Sequence, residues 1–350
     1  MPTSITDLHI QLALYTAVIP ALVAGVLVVM EMLLLRRHVP AAPSGHWALP
    51  LEIRALWASL RGKPEALAPY PRASLAAPVA IGGAIFAALV GLDGWPQLSP
   101  MRSTPAVALV ALLLGFLGIG VASRPGFTHA LAGDGAVTGG SGGVPFGALL
   151  SRVASTGFVA LAVMTALAMR TLPQTWGAME YTLLAVVLLG VAAVAALLDF
   201  ATSTPVTMGW WVPLTFAISY GMASVILGAV AHSAIYAQLA TAGAIGCGMA
   251  MLAGVWHTWR GGAYLFGPGA AFTAFVALAA LMYSGQYFTY GLPVYMALLA
   301  AAAPAGIALV LVPGLGGWAR WIAPAMALLI PGIPLALFLL TQSPENALGY

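Results

Sequence analysis

Five side chains with ionisable heads fall in or beside long apolar stretches: Glu31, Arg152, Asp199, His257 and Arg260. A charge in hydrocarbon is costly unless paired, hydrated or able to reach the headgroups, so each is a candidate for ion pairing, proton relay or cation binding. Long side chains near helix ends also reach the headgroups independently. Glu31 is shorter and deeper than the others, a little more than one helical turn before Arg36. It suits either a structural salt bridge or a proton or cation site. A second set is polar and neutral: His232, Ser233, Tyr236 and Gln238, then Tyr283, Ser284, Gln286, Tyr287 and Tyr290. Gathered at one end of a helical bundle, such residues form either an aromatic belt at the headgroups or the mouth of a polar cavity.

Other chemistries find fewer residues to work with. Cys247 is the single cysteine and lies inside an apolar run, which excludes an intrachain disulfide framework and any multi-cysteine metal site. The six histidines are dispersed, with no paired spacing on one helix for a bis-histidine haem, so no metal and no cofactor is expected. The glycine-rich stretch Gly133 to Gly143 lacks the Lys-Ser or Lys-Thr ending of a phosphate-binding loop and reads as a linker. Net charge is +3, but the 12 basic residues are scattered between apolar segments, so no nucleic-acid partner is expected.

The elements that position these residues follow from composition. With 61% hydrophobic and 6% charged residues and a mean hydropathy of +0.99, the chain has too little polar surface for a soluble domain. Leu12 to Leu35 is a continuous apolar run closed by Arg36, Arg37 and His38. A helix rising 1.5 Å per residue crosses about 30 Å of hydrocarbon in roughly 20 residues, so this run spans a bilayer. Its apolar core exceeds that of a secretory signal and its charges follow rather than precede it, so it is expected to remain in the mature chain. Further apolar segments lie near 73–92, 104–122, 145–169, 181–199, 210–230, 234–256, 268–285, 290–313 and 320–340, which makes about ten.

Lys and Arg concentrate in cytoplasmic loops, which fixes a direction for this threading. With the amino terminus outside, ten of the 12 basic residues fall inside and only Arg102 and Arg170 fall outside. The carboxyl terminus then also lies outside. The expectation is an all-α, polytopic transmembrane helical bundle forming a single integral membrane domain over residues 1–350, with inner loops at 36–72 and 123–144. Within the first loop, Leu49, Ile53, Leu56, Trp57 and Leu60 recur at helical spacing opposite Glu52, Arg54, Ser59 and Arg61. That pattern predicts a short amphipathic helix on the inner surface, either in the headgroups or packed on the protein. The run near Ala231 to Ser233 fits a tight turn or one long bent helix. Pro324, Pro331 and Pro334 should kink or interrupt the last segment. Gly82, Gly83, Gly115, Gly118 and Gly120 read as helix-packing positions.

Two resemblances add to this reading. Gly91-Leu92-Asp93-Gly94-Trp95-Pro96 and Ile235-Tyr236-Ala237-Gln238-Leu239-Ala240 sit in a chain that resembles uncharacterised multi-spanning bacterial membrane proteins, which implies the architecture and no particular activity. Gly139-Gly140-Ser141-Gly142 with a later His232 resembles the Gly-x-Ser-Gly and histidine of rhomboid intramembrane proteases, which implies hydrolysis. The threading departs from that pattern by placing Ser141 and His232 on opposite faces, where proton transfer between them is impossible. The functional expectation is therefore an inner-membrane protein with the lipid bilayer as its solvent. It either moves a small solute or serves as a non-catalytic subunit beside other membrane subunits.

Overall fold

The computed structural model describes residues 10–36, 74, 76–96, 103–122, 146–169, 177–202, 207, 209–259, 264–289, 291–312 and 314–341. Among these the chain is helical throughout: α1 (Ile19–Arg36), α2 (Ala76–Asp93), α3 (Ser103–Ala122), α4 (Phe146–Ala168), α5 (Ala178–Thr202), α6 (Trp211–Ala229), α7 (Ala234–Trp259), α8 (Gly267–Phe288), α9 (Val294–Ala302) and α10 (Gly316–Thr341). Eight described helical segments are long and apolar enough to cross a membrane, and two shorter apolar stretches, Thr104–Ile119 and Ala154–Ala168, lie in α3 and α4. The protein is a multi-pass helical membrane protein. The expected surface helix at 49–60 and the glycine-rich loop lie outside the described residues.

Helix α8 is the axis of the bundle. Every residue from Gly267 to Gly285 is buried, and the helix meets α2 through α7 and α9. Its composition permits this, because alanine and glycine dominate its surface and Pro268 occupies a first-turn position where its missing N–H costs nothing. Two hydrogen bonds fasten it laterally: Thr273 Oγ1 donates to the Leu114 carbonyl of α3 at 2.8 Å, and Tyr220 Oη of α6 donates to the Ala274 carbonyl at 2.8 Å. Such bonds contribute about 0.6 kcal/mol each between membrane helices. Tyr220→Phe is therefore expected to lower the unfolding midpoint in detergent only slightly, with helix content by circular dichroism unchanged.

The crossing of α2 and α3 is made by glycine on both sides. A Cβ at Gly82 would overlap the Ala111 carbonyl, and one at Gly115 would lie 3.0 Å from the Pro78 carbonyl oxygen. Backbone meets backbone here, as small interfacial residues allow. Gly118 faces the Thr273 and Pro78 side chains and the Gly269 carbonyl, so three of the expected packing glycines do hold helices together.

Two spans depart from regular α geometry, each at a proline. Residues Leu14–Val18 form a π-helical turn whose closing bond runs from Ile19 N–H to the Leu14 carbonyl. Pro20 follows, and the wider turn moves backbone away from its ring and missing donor. The segment Val294–Leu311 runs as α-helix only to Ala302 and continues as a 3₁₀-helix over Ala303–Leu311, with Pro304 in its first turn. By contrast α10 passes through Pro324, Pro331 and Pro334 without interruption. Membrane helices tolerate the lost donors because neighbouring groups re-satisfy the freed carbonyls. Between α6 and α7 the chain makes a tight turn rather than one bent helix, with His232 at φ 49° and the Ser233 N–H donating to the Leu227 carbonyl at 3.0 Å.

Candidate functional site

One end of the bundle gathers helix ends around the segment entering α8. The Ser74 N–H donates to the Leu265 carbonyl at 3.0 Å, and the Gly209 N–H donates to the Tyr264 carbonyl at 2.8 Å. Ser74 is an N-cap: its hydroxyl oxygen accepts the Ala77 N–H at 3.0 Å, which satisfies one of the free amides opening α2. Glu31, near the end of α1, completes the cap. It accepts the Ser74 hydroxyl proton at 2.5 Å on Oε2 and the Ala76 N–H at 3.3 Å on Oε1. A carboxylate at a helix N-terminus also lies at the positive end of the helix dipole.

Tyr264 stands beside this pair. Its side chain is 6% exposed, and its hydroxyl makes no hydrogen bond. Burial raises the phenol pKa well above its ordinary value and the nearby Glu31 charge raises it further, while Ser74 opposes them without reaching hydrogen-bonding geometry. The phenol is thus a neutral donor. His257, near the end of α7, stacks on its ring at 5.7 Å with an interplanar angle of 14°.

Of the expected ionisable set, Glu31 and His257 meet here. Asp199 is fully buried one turn from the end of α5 and accepts the Thr156 hydroxyl of α4 at 3.1 Å. It belongs to the same end, since the Thr202 carbonyl accepts the Thr207 hydroxyl just before Gly209. Arg152 lies on α4, its side chain undescribed, and Arg260 lies outside the described residues. Ser74 and Tyr264 are the members that sequence reasoning passed over. A serine just ahead of the apolar run 76–93 is an N-cap signal, and Tyr264 precedes the Gly-Pro-Gly opening of α8.

The neutral polar set gathers at the other end. The space that a side chain at Gly285 would need is filled by Leu227, so the α6–α7 turn sits against the end of α8. Tyr236, Tyr283 and Ser284 are buried within the protein, Ser233, Gln238 and Gln286 are half-buried, and His232 and Tyr287 are exposed. Tyr283 and Tyr287 pack ring against ring at 4.5 Å. The Ser284 hydroxyl and the Gln286 Oε1 are buried with no hydrogen-bond partner. Tyr290 and Ser141 lie outside the described residues.

Among the described residues, then, the buried side-chain oxygens without a partner are those of Tyr264, just ahead of α8, and of Ser284 and Gln286, in its last turns. From Gly267 to Ser284 the helix rises about 26 Å at 1.5 Å per residue, and Tyr264 precedes it, so the first two are set apart by most of the roughly 30 Å thickness of a hydrocarbon core. No cluster of three or more His, Cys, Asp or Glu occurs among the described residues. Comparison with protein-family models, curated proteins and solved structures gives no match.

Proposed function

We propose that this chain is a ten-span protein of the inner membrane, with both termini outside, that carries a small uncharged solute across the bilayer. The observation that supports this most is the placing of unpartnered buried oxygens at both ends of α8. Buried polar groups are ordinarily satisfied, and one that is not is a place where water or a ligand belongs. Irregular backbone in the first and ninth spans is a further support, since departures from the α-helix inside a membrane cluster at functional positions. An uncharged solute fits because the mid-section of α8, Ala270 to Leu281, offers no ionisable side chain.

Proteoliposomes tested by stopped-flow light scattering with glycerol and with acetamide should swell several-fold faster than protein-free vesicles. Rates no faster than those of protein-free vesicles for both solutes would overturn the reading. The close packing of that same mid-section favours a second reading, a non-catalytic subunit of a larger membrane complex. On that reading, native mass spectrometry of mild-detergent extracts would find the chain only together with other polypeptides.

A further inference from the structure

The described tryptophans are shared unequally between the two ends of the bundle. Six of the seven sit at the end where Ser74 caps α2, and Trp95 lies at the other. Trp210 and Trp211 open α6, Trp256 and Trp259 close α7, and Trp318 and Trp321 lie in the first turns of α10. These three helix ends meet in space. The Trp210 and Trp321 rings pack edge to face at 6.4 Å and those of Trp256 and Trp259 at 5.9 Å, while a Cβ at Gly254 of α7 would lie 3.2 Å from the Trp210 Cα. The Arg320 guanidinium carbon stands 5.7 Å from the centre of the Trp321 ring. Trp259, Trp318 and Trp321 are 78%, 65% and 58% exposed.

Indoles that only set the depth of a protein in the bilayer occur at both headgroup levels. A one-sided cluster with an arginine in it has a second cause, and charge supplies it. Among the described residues the carboxylates at this end, Glu31 and Asp199, are partly or wholly buried and accept hydroxyl protons. The exposed ones, Asp93 and Glu180, lie at the opposite end. Arg260 follows Trp259 directly in the sequence. Positive charge thus stands beside indole N–H donors at headgroup depth, and a phosphodiester accepts from both. The attraction needs only the charge of Arg320, which contact with an indole face leaves intact. A choline headgroup brings its own cation, which that charge repels, whereas a glycerol headgroup brings none.

We infer that the ends of α6, α7 and α10 form a binding surface for the headgroup of an acidic phospholipid. Trp259, Trp318 and Trp321 flank the phosphate level, and Arg320 sets the preference for negative charge. The surface depends neither on the transport reading nor on the direction in which the chain is threaded.

The test titrates the full chain in detergent with phosphatidylglycerol and with phosphatidylcholine of the same acyl chains, and reads bound lipid by native mass spectrometry. Phosphatidylglycerol should bind about five-fold more tightly, the size of one basic residue's attraction to an anionic headgroup, and the preference should shrink as ammonium acetate is raised. Arg320→Gln should bring the two lipids to within about two-fold of each other. Arg102→Gln removes one charge next to the opening of α3, at the opposite end, and should leave the preference intact.

Equal affinity of the wild type for both lipids overturns the surface. An equal loss of preference in the two arginine variants does the same, because the preference then belongs to net charge. Competition by inorganic phosphate at the lipid's own concentration would make the ligand a free anion and also overturn it. Should Arg320→Gln fail to fold, Trp318→Leu takes its place, since so exposed an indole supports little inside the protein. It should weaken phosphatidylglycerol binding, and unchanged affinity overturns the surface.

Discussion

Gly82→Ile is expected to abolish assembly of the bundle. The new side chain would begin inside the van der Waals radius of the Ala111 carbonyl, and that carbonyl belongs to a helix backbone that cannot turn aside. The axes of α2 and α3 would have to separate, and α2 also packs on α1, α7 and α8, so the displacement spreads through the core. Overpacking in a tight interior costs about 1–3 kcal/mol where side chains can yield, and more where only backbone is available. The comparison that isolates this effect is Gly190→Ile on the exposed side of α5, where a Cβ meets nothing within 4 Å. Both variants would be measured by monodispersity after detergent extraction and by the unfolding midpoint. Gly190→Ile should match the wild type, and a Gly82→Ile protein that also does so would show that the α2–α3 contact is looser than its geometry indicates.

Pro304→Ala should shorten the segment Val294–Leu311. Proline removes the amide that would bond to the Ala300 carbonyl and pushes its ring against that carbonyl, which prevents α9 from continuing. Restoring the amide lets nine residues pass from about 2.0 Å to about 1.5 Å of rise each, a contraction of about 4–5 Å. The same conversion turns side chains by about 20° per residue and would carry the buried face, Ala303, Gly306 and Ile307, away from α10. Packing resists that rotation, since a Cβ at Gly306 already lies 3.3 Å from the Ala323 Cα. Spin labels at the exposed Leu298 and Leu315 report the outcome as a distance by double electron–electron resonance. A shortened mean distance makes Pro304 the cause of the 3₁₀ geometry. An unchanged one assigns it to the contact with α10.

The architecture was legible because a bilayer needs long apolar runs, and these appear in sequence as runs whatever their neighbours are. The apolar segments fall on described helices, eight of them long and apolar enough to cross a membrane and two shorter, and the tight turn at His232 sits between two of them. Glu31 and His257 were legible for the complementary reason, that ionisable groups near apolar helices are rare. Their meeting at Tyr264 was not, because Tyr264 is an ordinary tyrosine until the backbone pairing of Ser74 with Leu265 brings two distant segments together. Helix irregularities were hidden in a different way. Pro20 and Pro304 disrupt their spans while Pro324, Pro331 and Pro334 do not, and that distinction depends on how neighbouring helices let the freed carbonyls be satisfied.

A helix enclosed on all sides has consequences for how the chain is made. Helix α8 is the least hydropathic of the eight candidate spans, yet it ends farthest from lipid. It also emerges from the ribosome after α2 through α7, the walls that will surround it. The nascent chain must therefore hold those six helices ajar until the seventh element of the core arrives. A synthesis stalled before residue 267 would leave an empty cradle, with Gly118 touching Pro78 but lacking Thr273 and Gly269.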